Sequence, residues 1–126
     1  MSATVSCIAD NWFIAIQTET EAKVYAAVGS VIGVDVGLKT LATVSDGRTY
    51  ANPAPHRGER LCLRKLNKEL SRRRKGSNRN KTKIKLQKLH YRIACIRSDS
   101  IHKATSAITK GVSVIGIETL NVAGML

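Results

Sequence analysis

Two acidic residues stand at the ends of two similar apolar segments. Asp35 follows the apolar residues 31–34, with Gly33 two positions before the acid. Glu118 follows residues 114–117 in the same way. Apolar strands joined through a long helical excursion tend to lie parallel in one sheet. If these two strands are neighbours in register, both carboxylates emerge side by side at one edge, so the sequence predicts an acidic pair.

Such a pair points to metal-assisted phosphate chemistry. Two bare carboxylates a few ångströms apart repel each other, and a divalent cation between them removes that cost. Mg²⁺ prefers one or two carboxylates together with water and phosphate oxygens. Two such ions ~4 Å apart can activate a water and stabilise the leaving oxygen in phosphodiester cleavage. The glycines, Gly33 and Gly116, would let backbone or phosphate approach closely.

Each acid alone would more often be a turn former or a helix cap. The pairing, together with a basic region between the two acids, favours catalytic and metal-binding roles for Asp35 and Glu118. No comparable arrangement of serine, histidine and aspartate, or of cysteine and histidine, can be drawn from the spacing of the other residues.

The basic region covers residues 57–110, which hold 18 of the 21 lysines and arginines and only three acids, a net charge of +15. The rest of the chain carries −3. Such a segregated field attracts polyanions, of which nucleic acid is the commonest. A merely solvated helical face is the alternative, and a membrane surface fits less well because the helices lack a broad apolar face. The predicted nucleic-acid-binding residues are Lys39, Arg64, Lys68, Arg72, Arg73, Arg74, Lys75, Arg79, Lys81, Lys85, Arg92, Arg97 and Lys103.

Short β-rich runs open the chain. Residues 4–8 and 12–17 flank residues 9–11, a sequence typical of a hairpin turn. Three apolar residues of the second run share one face, which predicts a half-buried strand. They are Trp12, Ile14 and Ile16. The polar-to-small residues 18–28 then indicate a domain boundary.

The pattern of a buried sheet follows. Residues 31–34 form a continuous apolar run, as expected of a strand that is buried on both faces, and residues 112–117 predict another buried strand near the end of the chain. Residues 38–45 predict the next strand after 31–34. Asp46-Gly47 is typical of a hairpin that leads into a third strand at residues 48–50.

Two helical segments lie between these strands. Prolines at 53 and 55 break the sheet, and apolar residues then recur every three or four positions in two narrow stripes, which we interpret as core. The stripes are Leu63, Leu66 and Leu70 in the first segment, and Leu86, Leu89, Ile93, Ile96, Ile101, Thr105 and Ile108 in the second. Gly76-Ser77-Asn78 ends one helix and begins the other. The prediction is an antiparallel helical hairpin over about residues 57–110, with a second arm ~45 Å long at ~1.5 Å per residue.

The composition bounds the fold and its environment. A chain of 126 residues suffices for one compact domain, and the pattern predicts an α/β fold whose mixed sheet carries an inserted basic helical hairpin. Cys7, Cys62 and Cys95 form no CxxC pair, which fits a reducing cytosol and excludes a zinc ribbon within these residues. Cys62 and Cys95 are expected to pack as small hydrophobes. No apolar run approaches the ~18 residues that span a bilayer, so we expect a cytoplasmic protein without a membrane partner.

The motifs resemble those of a known family. Residues 31–39 and 43–47 resemble the first RuvC motif of the TnpB/OrfB proteins of bacterial insertion sequences, which are often described as transposases. Residues 117–125 are similar to their second RuvC motif. The helical stretch with Arg97, Asp99, His102 and Lys103 also looks like theirs, and the Trp12-bearing strand resembles the end of their β-rich wedge domain. The resemblance divides the chain into residues 1–28, from that wedge-type domain, and residues 29–126, from the RuvC-like nuclease domain.

The resemblance implies a partial RNase H-like (RuvC) nuclease fold related to type V CRISPR effectors. In that family an RNA guide selects the DNA, and the RuvC site cuts it with Mg²⁺. Asp35 and Glu118 match the first two catalytic acids. The family's third acid and its zinc ribbon come later and are absent from these 126 residues. The resemblance therefore implies a chain shortened at both ends that binds Mg²⁺ or Mn²⁺ weakly and has little or no cleavage activity alone, with DNA and a guide RNA as partners.

Other interpretations stay open. A non-catalytic nucleic-acid-binding remnant would grip phosphates with its basic hairpin, independently of Asp35 and Glu118, and its affinity would fall steeply with salt. A fragment of an actin-like ATPase also opens with a strand ending in Asp-x-Gly, but the basic hairpin fits it poorly. Holliday-junction resolvases share the nuclease fold, yet residues 120–125 favour the insertion-sequence family. An incomplete sheet would expose an edge and an apolar face, which predicts self-association.

Overall fold

The computed structural model describes residues 2–21 and 29–119, which form an α/β structure with two helices and a mixed sheet. These residues divide into two compact units: residues 2–21 and 54–98 make the first, and residues 29–53 and 99–119 make the second. Within this part of the chain, no helix combines the length and the apolar character needed to cross a membrane. Most of the predicted boundary at 18–28, and the predicted loop that begins at residue 120, lie outside the described residues.

The first unit contains helix α1 (Pro55–Arg72) and residues 77–98 of helix α2 (Ser77–Thr109). Proline suits the first turn of α1 because its fixed φ is helical and the missing N–H needs no partner there. The predicted stripes are core only in part: their residues in the first unit form a buried cluster, whereas Ile101 is 45% exposed and Thr105 is exposed. That cluster consists of the buried Leu63, Leu89 and Ile93, with Leu66 and Leu86 packed against them.

A β-hairpin precedes the helices in the first unit. Strands β1 (Ala3–Ile8) and β2 (Asn11–Ile16) pair antiparallel, with Ile8 opposite Asn11. The two residues between the strands, Ala9 and Asp10, have φ values of 51° and 67°. Two successive positive φ values are typical of the tight turn whose twist matches that of paired strands. The predicted hairpin is confirmed.

The prediction that Trp12, Ile14 and Ile16 form a half-buried face of β2 is wrong. All three side chains are exposed, Trp12 at 75%. The opposite face of the strand makes the contact instead, since the Phe13 ring centroid lies 6.1 Å from that of Tyr91 on α2. Period-two alternation identifies residues that share a face, but which face packs depends on the neighbouring element.

The expected packing of the cysteines is also wrong, because Cys62 and Cys95 are both exposed. Cys62 is one residue before the buried Leu63, and Cys95 is two residues after the buried Ile93. At ~100° per residue these offsets turn both thiols away from the leucine stripe. A side-chain hydrogen bond with Cys95 raises the pKa of Tyr91.

The second unit is a four-stranded sheet with the order β5-β4-β3-β6. Its strands are β3 (Ser30–Val36), β4 (Thr40–Val44), β5 (Thr49–Ala51) and β6 (Val112–Ile117). Strands β3, β4 and β5 form an antiparallel meander, whereas β6 pairs parallel with β3. A parallel pair needs a long crossover, and the segment that contains both helices provides it.

The Asp46-Gly47 turn joins β4 to β5, as predicted. Gly47 has a φ of 91°, which a side chain would disfavour. The backbone N–H of Arg48 donates to the Asp46 carboxylate at 3.0 Å, and Nε of the same arginine donates to it at 2.7 Å. These bonds, the backbone one foremost, lower the pKa of Asp46. Arg48 also donates to the Ala107 carbonyl oxygen of α2 at 3.0 Å, so the turn is fixed to the helix.

The core of the second unit lies on one face of the sheet only. On that face Ile108 of α2 packs against four buried strand residues, namely Ile32, Val34, Ala42 and Val44. The prediction that β3 is buried on both faces is wrong, since Val31 is 71% exposed. The prediction of a buried β6 is wrong too, since Val114 and Ile117 are exposed. Among the described residues no second layer covers the other face, and β6 is an edge strand.

Candidate functional site

The positions of the two predicted acids follow directly from the pairing of β3 with β6. In this parallel register Gly33 lies opposite Gly116, and Val34 lies opposite Ile117. One step further along each strand come Asp35 and Glu118. The predicted geometry is therefore confirmed at the level of the backbone: the strands are adjacent and run in the same direction, and both acids come at the same edge of the sheet.

Both acids lie on the face of the sheet that no other described layer covers. Ile32 and Val34 are buried against the helix, so by alternation Gly33 and Asp35 face the other way. The register with Gly33 gives Gly116 the same orientation. Asp35 and Glu118 are exposed, and within the described residues neither carboxylate takes part in a hydrogen bond or an ion pair with another side chain. Nothing in this part of the chain neutralises them.

Hydroxyl groups adjoin the acidic pair. Thr43 of β4 is the cross-strand partner of Asp35. Ser45 follows two positions later, where its N–H donates to the Gly33 carbonyl oxygen at 2.9 Å and its Oγ accepts from the Gly33 N–H at 3.0 Å. One open depression is lined by these hydroxyl residues, by both acids and by both glycines. Its polar surface consists of the oxygen ligands that Mg²⁺ prefers.

Neither of the two glycines contributes a side chain to this depression. A Cβ added to Gly33 would lie 3.9 Å from the Cβ of Ser45, and one added to Gly116 would lie 3.8 Å from the Ile32 carbonyl oxygen. Both are ordinary contact distances, so the fold itself does not require glycine at either position. The tight backbone approach lies at the other end of the strands, where a Cβ on Gly29 would come within 2.3 Å of the Gly111 carbonyl oxygen.

The residues present fit one divalent cation. Two adjacent, unpaired carboxylates with water completing the shell are a common Mg²⁺ arrangement. Among the residues that the structure describes, no group of three or more histidine, cysteine, aspartate or glutamate side chains is placed to hold a metal. In the described part of the chain, Asp35 and Glu118 are therefore the two acidic residues at this edge that could hold a metal.

The predicted nucleic-acid-binding residues are divided between the two units. Lys39 is exposed in the turn between β3 and β4, and Lys103 lies on the part of α2 in the second unit, where it pairs with Asp99 at 2.7 Å. The remaining eleven lie in the first unit. Those on α1 are Arg64, Lys68 and Arg72; those in the link are Arg73, Arg74 and Lys75; those on α2 are Arg79, Lys81, Lys85, Arg92 and Arg97.

Several of these cations have structural partners. Arg79 donates from Nη1 to the carbonyl oxygens of Leu70 and Arg73, which holds the end of α1 against the beginning of α2. Arg73 donates to the Asn78 carbonyl oxygen at 3.1 Å, and it also pairs with Glu69 at 3.5 Å. These arginines hold the link between the helices, so their guanidinium groups are not free in the way the charge pattern suggested.

Comparison with known families decides the affiliation of the chain. Residues 13–126 match the OrfB_IS605 family, which is described as "Probable transposase". The chain belongs to this family. The predicted relationship to TnpB/OrfB-type insertion-sequence proteins is thereby confirmed.

Curated relatives of this OrfB_IS605 chain are considerably longer. It is 40% identical over 126 residues to "Putative RNA-guided DNA endonuclease InsQ" of Escherichia coli (strain K12), a match that covers 98% of this chain and 31% of the relative. It is 33% identical over 119 residues to "Putative RNA-guided DNA endonuclease" of Streptomyces pristinaespiralis, covering 94% and 30% respectively. The chain thus spans about a third of the length of these relatives.

Thr43 and Ser45 line the depression beside the two acids and are the residues that sequence reasoning missed. The signal was present, because the short connection at residues 37–39 joins β3 to β4 and fixes their antiparallel register. Counting outward from that connection along both strands places Thr43 beside Asp35.

Proposed function

We propose that this OrfB_IS605 chain forms the first strands of an RNase H-like, RuvC-type nuclease domain of an RNA-guided DNA endonuclease, with Asp35 and Glu118 as two of its catalytic acids. The parallel pairing of β3 and β6 carries the proposal, because it brings Asp35, the penultimate residue of β3, level with Glu118, which directly follows β6. The absence of a neutralising cation near either acid within the described residues supports it. Carboxylates left unpaired on an open face are available to a metal ion.

The chain's own residues would bind and orient the reacting groups. Asp35 and Glu118 would hold Mg²⁺ or Mn²⁺ at the edge of the sheet. Such an ion, when bound, activates a water and neutralises charge on a phosphodiester. Gly33 and Gly116 add no side chain to the depression, which would leave room for a phosphate to approach the acids.

The partners we propose are DNA and a guide RNA, acting in the cytoplasm. The support for them is the names of the relatives, which describe RNA-guided DNA endonucleases, together with the basic residues of the two helices, which we propose form the inserted hairpin of this domain. We propose in addition that residues 1–28 belong to the preceding wedge-type domain and residues 29–126 to the nuclease domain.

Binding of Mn²⁺, followed by electron paramagnetic resonance, tests the acidic pair without requiring cleavage. We expect weak binding, with a Kd on the order of 1 mM because two carboxylates are the only charged ligands. Asp35→Asn and Glu118→Gln should each abolish it. Asp99→Asn is the matched control, since that acid is already paired with Lys103, and it should leave binding unchanged. Equal binding by all four proteins would disprove the metal site.

A second candidate function is binding of nucleic acid without cleavage. Many exposed lysines and arginines with no carboxylate partner among the described residues favour it, Arg74 and Lys81 among them. Under this alternative, affinity for DNA is the same in wild type and in Asp35→Asn, with or without Mn²⁺. A Mn²⁺-dependent increase in affinity that Asp35→Asn removes would exclude it.

A further inference from the structure

Basic residues follow one face of α1 along nearly its whole length. They recur every three or four positions, which places them on the same side of a helix. At ~1.5 Å per residue the row is about 22 Å long. All of its members are exposed, and within the described residues none is paired with a carboxylate. The row, here called the α1 stripe, consists of Arg57, Arg60, Arg64, Lys68 and Arg72.

The two acids of α1 lie off the stripe and are already neutralised by other elements. Glu59 is half-buried and pairs with Arg92 of α2 at 3.5 Å. Glu69 pairs with Arg73 of the link at 3.5 Å. Both negative charges of the helix are therefore paired, Glu59 with the helix against which Leu63 packs and Glu69 with the link. The positive charge of the opposite side is left uncompensated.

Several cations of α2 differ in this respect. Lys88 pairs with Asp10 of the hairpin at 2.7 Å, Arg92 pairs with Glu59, and Arg79 is held by two backbone carbonyl oxygens. Surface pairs of this kind contribute little to stability, but they reduce the charge that a polyanion meets. The α1 stripe is the longer uninterrupted row of unpaired cations on a single helix face.

We propose that the α1 stripe binds the phosphate backbone of a double-stranded nucleic acid. The inference rests on the proposed nucleic-acid function and specifies the surface and the form of the ligand. Phosphates of one strand recur about every 3.4 Å along a duplex axis, so a 22 Å row faces about six of them with five cations. No phenylalanine, tyrosine or tryptophan occurs on α1, whereas surfaces for single strands stack successive bases on such rings.

The test compares two triple variants that lose the same charge. One removes the centre of the stripe, Arg60→Gln, Arg64→Gln and Lys68→Gln. The control removes three exposed lysines that belong neither to the stripe nor to the predicted nucleic-acid-binding residues, Lys83→Gln, Lys88→Gln and Lys110→Gln. Glutamine has a helix propensity close to those of lysine and arginine, and circular dichroism should confirm equal helicity.

Binding is measured by fluorescence anisotropy over a range of salt concentrations, with 20-bp duplex DNA, 20-bp duplex RNA and single-stranded DNA of the same length. Each lost phosphate contact lowers the slope of log K against log salt by ~0.9. We expect a loss of about 2–3 for the stripe variant with a duplex and of less than 1 for the control. The two duplex arms show whether the ligand is DNA or RNA.

Equal slope losses in the two variants would overturn the proposal, because net charge rather than the stripe would then govern binding. Tighter binding of single-stranded DNA than of either duplex would overturn the assignment of a double-stranded ligand. The variant Arg60→Lys with Arg64→Lys should retain the wild-type slope. None of these outcomes depends on Mn²⁺ binding by Asp35 and Glu118, so failure of the stripe and failure of the metal site are distinguishable.

Discussion

Two glycines at opposite ends of the β3–β6 pair illustrate how differently one residue type can act. At Gly29, just before β3, an added Cβ would collide with the Gly111 carbonyl oxygen at 2.3 Å. At Gly116 the nearest atom to such a Cβ is the Ile32 carbonyl oxygen at 3.8 Å. The first glycine is required by backbone packing, whereas the second is dispensable to the fold and lies next to an acid.

We expect Gly29→Ala to lower the free energy of unfolding by about 1–3 kcal/mol, because backbone must move to make room for the methyl group. Gly116→Ala, in the same strand pair, should change it by no more than about 1 kcal/mol in either direction. Urea denaturation of the two variants measures both. Similar values for the two would contradict the difference in packing.

The acids could be predicted from sequence because they lie at or directly after the ends of apolar strands, where the pattern changes from apolar to polar residues. The role first assigned to the neighbouring glycines was less secure. A glycine in an apolar run has the same appearance whether a backbone, a phosphate or nothing approaches it. The close approach at Gly29 depends on the spacing of β3 and β6, where the register shifts between Ser30 and Val31, and no local pattern encodes that.

At the scale of elements, α1 has two faces with different purposes. Leu63 is 5% exposed and packs against α2, whereas Leu61, two residues earlier, is 77% exposed. The same residue type therefore provides an internal comparison of a core position with a surface position on a single helix.

We expect Leu63→Ala to lower the free energy of unfolding by about 2–4 kcal/mol, since it opens a cavity between the helices. Leu61→Ala should lie within about 0.5 kcal/mol of wild type. Chemical denaturation monitored by helical circular dichroism measures both changes. A cost for the exposed leucine as large as that for the buried one would mean that α1 packs through a different face.

The helices were predicted more accurately than the strands. A heptad-like stripe carries its own evidence of packing, and it placed Leu63 and Leu89 in a common core. Burial of a strand depends on how many layers cover the sheet, which is a tertiary property. The apolar run at 31–34 is compatible with one covered face or two, and in the described residues only the face of Ile32 and Val34 is covered.

At the scale of the whole molecule, the acidic pair lies in the second unit and the α1 stripe in the first. Membership of the OrfB_IS605 family could be predicted because its motifs are local and occur in order along the chain. The division of the structure into these units could not, since each unit combines residues that are distant in sequence, such as 2–21 with 54–98.

We expect the 126-residue chain alone to show no Mg²⁺-dependent nicking of supercoiled plasmid above the level of Asp35→Ala. The described residues supply two acidic ligands and no group of three, whereas cleavage with two ions needs further charged ligands to hold the second. Agarose gels after prolonged incubation provide the measurement. Nicking that Asp35→Ala abolishes would contradict this expectation and show that two acids suffice.

Helix α2 passes without interruption from one unit to the other between residues 98 and 99. Limited proteolysis therefore has no linker to cut at this boundary. A chain shortened to residue 98 would also deprive the sheet of Ile108, the helical residue of its buried core cluster. Attempts to dissect the protein into separately expressed pieces should preserve the entire helix in whichever piece is to retain the acidic pair.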